Sequence, residues 1–317
     1  MTAHTSFRTA ISEIHPDPDF FLGANLPWLR YGGDFGANAW SPCGGLAARG
    51  DGPAVLAMLK ALRAAGVEVV RWFVLCDGRA GIAFDADGAP SGLDARVHAD
   101  LDRALDWIGE AGLRMMPVLF DFTWCRRRRL VNGVSLGGRR RVLADPRMRT
   151  ALVELVVAPL VERCGRDARI FAWDVINEPE WATSDVGSVN PLTTVGRAAM
   201  RGFIRQAAAA VHAHAAQPVT VGSARARWLD EVRGLGLDLY QPHFYERFER
   251  DVPLATPAAA FELDRPVVLG EFPTAAGPRT PDVLLDAARQ AGYAGALFWS
   301  VLAGDAATFN SAPSRRG

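Results

Sequence analysis

Two carboxylates in this chain stand where a strand runs out. The stretch Phe171-Ala172-Trp173-Asp174-Val175-Ile176-Asn177-Glu178-Pro179 is strand-like up to Ile176 and then breaks. Pro179 has no N–H for a sheet ladder and disfavours helix at the residue before it, so the strand should present Asn177 and Glu178 at its C-terminal tip. Val267-Val268-Leu269-Gly270-Glu271-Phe272 is a second buried strand pattern that reaches an acid, 93 residues after Glu178 (271 − 178). Paired carboxylates on one rim are the equipment for cleaving a glycosidic bond: one protonates the leaving oxygen and the other serves the anomeric centre. Either Glu alone is as well explained by a structural ion pair. Two at strand tips point to a site.

The elements that must position them are legible as alternation. Apolar strand patterns read Phe20–Asn25, Val67–Leu75, Arg114–Phe120, Ile170–Ile176, Pro218–Gly222, Leu237–Pro242, Pro266–Glu271 and Ala294–Trp299. Helical periodicity occupies Pro53–Ala65, Ala95–Ala111, Pro146–Arg163, Leu192–Ala216, Ala224–Arg233 and Pro281–Ala291, with a weak helix near Pro257–Leu263. Gly66 and Gly112 follow helix ends as C-terminal caps do. Strands apolar on both faces, each followed by a helix, predict a parallel sheet covered by helices. Eight such units in 317 residues fit an α/β fold of the (β/α)8 TIM-barrel type better than a doubly wound sheet. The reading is one barrel domain over residues 1–317, with its core at about 20–303 and the last helix truncated. In a barrel the C-terminal strand tips make the site. That rim would collect Trp28, Arg71, Asp121, Asn177, Glu178, His243, Tyr245, Glu271 and Trp299. Trp28, Trp40, Trp124 and Trp181 follow strand tips, where indole planes could stack on sugar C–H faces.

Composition removes other classes. Formal net charge is +0, so nothing global points to nucleic acid or an anionic membrane surface. Lys60 is the only lysine and lies in a surface helix pattern, which leaves Schiff-base chemistry without a desolvated amine. Residues 1–20 lack a basic stretch followed by an apolar one, and no apolar run has transmembrane length. The expected location is cytoplasmic, or secreted if a leader belongs ahead of this sequence. Cys43, Cys76, Cys125 and Cys164 form no C-x-x-C pair and read as free thiols. Gly133-Val134-Ser135-Leu136-Gly137 matches a hydrolase elbow but sits in an Arg-rich loop rather than between strand and helix. Asp85-Ala86-Asp87-Gly88 lacks the other ligands of a calcium loop and reads as a hairpin turn. No metal or organic cofactor is called for.

The strand-tip motifs resemble the clan of retaining β-glycosidases with a (β/α)8 fold, and within it most resemble glycoside hydrolase family 5, the cellulase-like family. That clan carries Asn-Glu at the tip of strand four and Glu at the tip of strand seven, matched by Asn177-Glu178 and Glu271. The resemblance spans roughly residues 20–300 and implies Glu178 as acid/base, Glu271 as nucleophile and Asn177 on the sugar 2-hydroxyl. It further implies that Arg71 keeps Glu271 ionised, Tyr245 donates to Glu271, His243 bonds the acid/base or a sugar, and Trp299 floors the sugar site. One departure stands out. Many members carry His at the tip of strand three, where this chain has Asp121; Asp121 would take over that sugar contact, unless the strand register differs.

The expected activity is therefore retaining hydrolysis of a β-glycoside in an oligo- or polysaccharide. The alternatives are a transglycosidase using the same residues and a non-catalytic carbohydrate-binding barrel. Arg126–Arg129 and Arg139–Arg141 put seven arginines after strand three, which adds an anionic glycan to the candidate substrates. Sugar identity, endo or exo action and oligomeric state are not encoded in these signals.

Overall fold

The computed structural model describes residues 20–246, 248–249, 251–274 and 279–302. The segments behind the expectations of no leader and of a truncated last helix lie outside the described residues.

Eight parallel strands form the sheet: β1 Phe21–Asn25, β2 Val69–Phe73, β3 Arg114–Asp121, β4 Trp173–Asn177, β5 Val219–Ser223, β6 Gln241–Pro242, β7 Leu269–Pro273 and β8 Gly295–Trp299. Their order is β6-β5-β4-β3-β2-β1-β8-β7. Isolated parallel bridges Tyr240↔Val267 and His243↔Glu271 join β6 to β7, and the sheet becomes a barrel. Sequential neighbours all the way round are what βα units with right-handed crossovers generate.

Period-2 alternation sorts the side chains. In β2, Val70 and Trp72 point outward into the main core under the helices. Val69 points inward, where it meets Met116, Ala172, Val268 and Leu297 as an apolar plug. One layer higher the barrel interior turns polar, with Asn25, Arg71, Asp174 and Gln241 all buried. Space for that layer comes from glycine: a Cβ on Gly222 would lie 2.6 Å from an Arg71 guanidinium nitrogen and 2.9 Å from His243 Nε2. Nearest the rim, Phe73, Cys76 and Val118 pack under Trp299.

Between strands the chain is less regular than its periodicity suggests. The helix expected over Ala224–Arg233 is a 3-10 segment, Ala226–Glu231, and the one near Pro257–Leu263 is the 3-10 turn Ala258–Phe261. The helix expected from Leu192 begins at Arg197, because Pro191 and the polar run before it form turns. The Asp85–Gly88 turn joins the short strands Ile82–Phe84 and Pro90–Leu93, and Asp85 Oδ1 accepts the N–H groups of Asp87 and Ala89. The Arg-rich stretch is also ordered, as a hairpin of Arg129–Val131 with Val134–Leu136 followed by a helix at Arg140–Ala144. All four cysteines are free thiols.

Candidate active site

Glu178 sits one residue beyond β4 with φ +49°, a left-handed conformation that costs a non-glycine residue free energy and is held by its surroundings. Its N–H donates to the Gly222 carbonyl at 2.6 Å, tying the β4 tip to β5. The Glu178 carboxylate accepts from the Trp181 indole N–H at 3.0 Å and lies 3.0 Å from His243 Nδ1. Glu271, in β7, faces it. His243 Nδ1 is 3.5 Å from Glu271 Oε1, and the Tyr245 hydroxyl donates to Glu271 Oε2 at 2.7 Å. A carboxylate oxygen of each Glu and a ring nitrogen of His243 lie within 4.8 Å of one another. That is well inside the roughly 6.5–9.5 Å that an inverting pair keeps open for water, and on the side of direct attack by one carboxylate.

Arg71 organises the floor. It projects from β2 into the barrel, fully buried, and uses all of its N–H donors. Nε donates to Asp174 Oδ2 at 2.9 Å, and NH2 lies 2.8 Å from the same oxygen. NH1 donates to Asn25 Oδ1 at 3.0 Å and to Glu271 Oε1 at 2.8 Å, and NH2 also donates to Asn177 Oδ1 at 2.8 Å. Asp174 is further satisfied by Gln241 Nε2 at 2.9 Å and the Gly222 N–H at 3.1 Å.

Similarity to known proteins runs along nearly the whole chain. The mannan endo-1,4-beta-mannosidase of Cryptopygus antarcticus is 24% identical, over 90% of this chain and 81% of its own. The crystal structure of the endo-1,4-beta-mannanase from Eisenia fetida superposes with a TM-score of 0.73 at 25% identity, covering 90% of this chain and 86% of that one. A GH5 subfamily 18 enzyme of Streptomyces cattleya, solved with Manb1-4GlcNAc, shares the fold at a TM-score of 0.60 and 18% identity, covering 89% and 71%. This chain is a retaining β-glycoside hydrolase with a (β/α)8 fold, similar to family 5 enzymes. No family profile matches it.

Electrostatics separates the hydrolase's two acids. Burial raises both. Glu178 is pushed up to about 7, with the more distant Arg71 charge and the Trp181 N–H pulling the other way. On Glu271 burial is opposed by His243, when charged, and by Arg71. Burial holds His243 down to about 4, so at neutral pH the guanidinium in contact with Glu271 is the cation present. Arg71, in contact with Glu271 and farther from Glu178, favours the ionised form on Glu271 more than on Glu178. Neutral His243 shares one hydrogen bond with Glu178 through Nδ1. Glu178, His243 and Glu271 are also spaced as a small cation site. Arg71, already 2.8 Å from Glu271, would repel a metal ion there, and the carboxylate lone pairs are committed to Arg71, Tyr245, Trp181 and His243.

Among the residues expected from sequence, the hydrolase brings Arg71, Asn177, Glu178, His243, Tyr245 and Glu271 together. Trp299, half-buried, packs on Phe73 at 6.3 Å between ring centroids and is backed edge-on by Trp28 at the same distance. Trp28 itself is 6% exposed and packs on Tyr31 and Phe73, so it supports the floor instead of offering a face. Trp124 is a correction. It is 0% exposed, edge-on to Phe120 in the main core, and cannot stack on a sugar. The 3-10 turn after β3 points it inward. Trp181 is at the site but spends its N–H on Glu178. Asp121 is turned away from a ligand role, with both carboxylate oxygens bonded to Thr123 and Asn177.

Sequence reasoning missed Asn25, Asp174 and Gln241, whose one signal was a polar residue inside an apolar strand run. It also missed Arg225 and Trp228. The Arg225 guanidinium lies over Trp181 at 5.4 Å and over Trp228 at 5.0 Å, beside Glu178. Glu180 was passed over too. It is buried beneath the β4 tip, accepts the Ala224 N–H at 3.0 Å, and is raised by burial to about 8.

Glu180 makes stability depend on pH. A carboxyl whose folded pKa is raised binds its proton more tightly when folded, so stability is lost as pH climbs from the unfolded value, about 4.5, through about 8. Glu180→Gln removes that loss. The variant should match wild type at pH 4 and exceed it at pH 9 by on the order of 5 kcal/mol. Melting temperatures across pH measure this; parallel curves for the two proteins would contradict it.

Proposed function

We propose that the enzyme is an endo-acting β-1,4-mannanase. The observation that carries this is similarity over some nine-tenths of the chain to mannan endo-1,4-beta-mannosidases, whose own lengths it spans to 81% and 83%. A structurally similar exo-beta-1,4-mannosidase from an Opitutaceae bacterium is covered only to 52%, which favours the endo reading.

In the proposed reaction Glu271 attacks the anomeric carbon, the C1–O bond breaks, and the Glu178 proton passes to the departing oxygen. Water then enters, Glu178 takes its proton, and the Glu271–C1 ester opens with net retention. The decisive experiment compares β-mannan with β-glucan and xylan and follows viscosity against reducing ends. Fast viscosity loss on mannan alone supports the reading. Equal turnover of glucan, or release of mannose only, overturns it.

The assignment of Glu178 carries a pH prediction. Because the leaving oxygen needs a protonated acid, kcat/KM should fall as pH rises through about 7. Glu178→Gln should erase that basic limb on an aryl glycoside with a good leaving group. A limb that survives the substitution assigns the titration to another group.

We further propose that the substrate chain carries acidic substituents, on one observation. Arg127, Arg128, Arg139, Arg140 and Arg141 have no ion-pair partner among the described residues. Burial and then the Arg128 charge hold Arg139 below its ordinary value. Such a cluster gains from a carboxylate-bearing ligand. Affinity for uronate-bearing oligosaccharides should exceed that for neutral ones and fall with salt. Indifference to both would leave neutral mannan as the substrate.

A further inference from the structure

Asn177 is held from both sides by groups of opposite hydrogen-bonding character. Its Oδ1 accepts from Arg71 NH2 at 2.8 Å, and its Nδ2 donates to Asp121 Oδ2 at 2.8 Å. A side-chain amide turned by half a revolution occupies nearly the same volume, so shape alone does not select its orientation. Here the turned amide would set its oxygen against a carboxylate and its N–H groups against a guanidinium.

Asp121 is anchored in its turn. Its Oδ1 accepts the Thr123 N–H at 2.9 Å and the Thr123 hydroxyl. With the Thr123 proton committed to Asp121, the Tyr31 hydroxyl 3.2 Å away must donate to Thr123 Oγ1. Tyr31, Thr123, Asp121 and Asn177 are all buried, so each link is made in a low-dielectric setting where an unmade one is costly.

We infer that Asp121 is a positioning residue that fixes the amide of Asn177, leaving the second Nδ2 hydrogen of Asn177 aimed at the substrate. The inference rests on the proposed glycosidase reading and on the contact between Asn177 and the sugar 2-hydroxyl that the family resemblance implies. Asp121 itself touches no sugar: it works by denying Asn177 its turned orientation. A carboxylate is required because only an acceptor on both oxygens satisfies Thr123 and Asn177 together. In Asp121→Asn, whichever way the new amide sits, its NH2 faces the donor of Thr123 or the donor of Asn177.

The test uses the full-length enzyme and two aryl β-glycosides, one with the 2-hydroxyl and its 2-deoxy analogue, with wild type, Asn177→Ala, Asp121→Asn and Thr123→Val. Asn177→Ala should remove most of the wild-type preference for the 2-hydroxy substrate. Asp121→Asn should lose about 10–100-fold in kcat/KM on the 2-hydroxy substrate, mainly in kcat, and little on the 2-deoxy one. Thr123→Val, which keeps shape and loses the hydroxyl anchor, should move the same ratio less far; it also serves if Asp121→Asn folds poorly. Equal losses by Asp121→Asn on both substrates would mean general damage to the site and overturn the inference, as would no loss on either. If Asn177→Ala keeps the preference intact, the Asn177 reading falls and the inference with it. If only Asn177→Ala erases it, the inference alone falls.

Discussion

Glu271→Ala should cost a factor on the order of 10⁵ or more in kcat, the size found when a covalent nucleophile is deleted from a preorganised site. The loss should be this large because no other carboxylate among the described residues is placed to take the role. Asp174 is buried below the rim under Arg71, and Asp121 is occupied by Asn177 and Thr123. A 2-fluoro glycoside with a good leaving group should label wild type at Glu271, because the fluorine slows both oxocarbenium-like steps while the leaving group restores only formation of the ester, which then accumulates. In Glu271→Ala, added azide should enter the vacated face and give a glycosyl azide of inverted configuration. In Glu178→Ala, azide should replace water in the second step and give the retained product. Labelling at another side chain, or the same product configuration from both variants, would exchange or dissolve the assigned roles.

The second large effect is on stability. Arg71→Met should lower it by about 3–5 kcal/mol, the usual penalty for leaving a buried charge without its partner. Two carboxylates lose their cation together, Asp174 and Glu271, and the amide oxygens of Asn25 and Asn177 lose their donors. Asp174 keeps Gln241 and the Gly222 N–H, which limits the damage on that side. Arg71→Lys keeps the charge but not the fork, so it should fall between the two. The coupling can be isolated: adding Glu271→Gln to Arg71→Met removes one orphan charge and should recover part of the lost stability. Urea midpoints measure all of this. An Arg71→Met midpoint equal to wild type would show that the floor does not depend on the guanidinium.

Much of this was legible in the chain because the barrel imposes two plain rules. Strands buried on both faces are apolar almost throughout, so their ends could be placed to within two or three residues in most cases, as in Arg114–Asp121 and Trp173–Asn177. Chemistry collects at their C-terminal tips, so Asn177, Glu178, Tyr245 and Glu271 could be named by position. What stayed hidden depends on where a side chain turns after the strand has ended. Trp124 and Trp181 both follow a tip, yet a 3-10 turn buries the first in the core while the second reaches Glu178. Helices that the barrel replaces with single turns, as at Ala226–Glu231, retain helical periodicity because one face still packs on the core. Glu180 was invisible for a different reason: a buried neutral carboxyl and an exposed charged one look the same in a sequence.

The barrel's join has a consequence for how the enzyme fails when heated. β6 is two residues long, one of them Pro242, and the β6–β7 edge is held by the Tyr240↔Val267 and His243↔Glu271 bridges, with N–H groups of Tyr240, Phe244 and Val268 donating across it. The other edge of β6 is as brief, two pairs with β5, whereas the rest of the sheet is laced by longer ladders, such as β2 with β3. Local opening follows the thinnest hydrogen bonding. Here that seam carries His243 on one lip and Glu271 on the other. Catalysis should therefore switch off reversibly some degrees below the cooperative melt, as the seam gapes while the remaining staves hold. In hydrogen exchange the Phe244 and Val268 amides should be released ahead of those in β2.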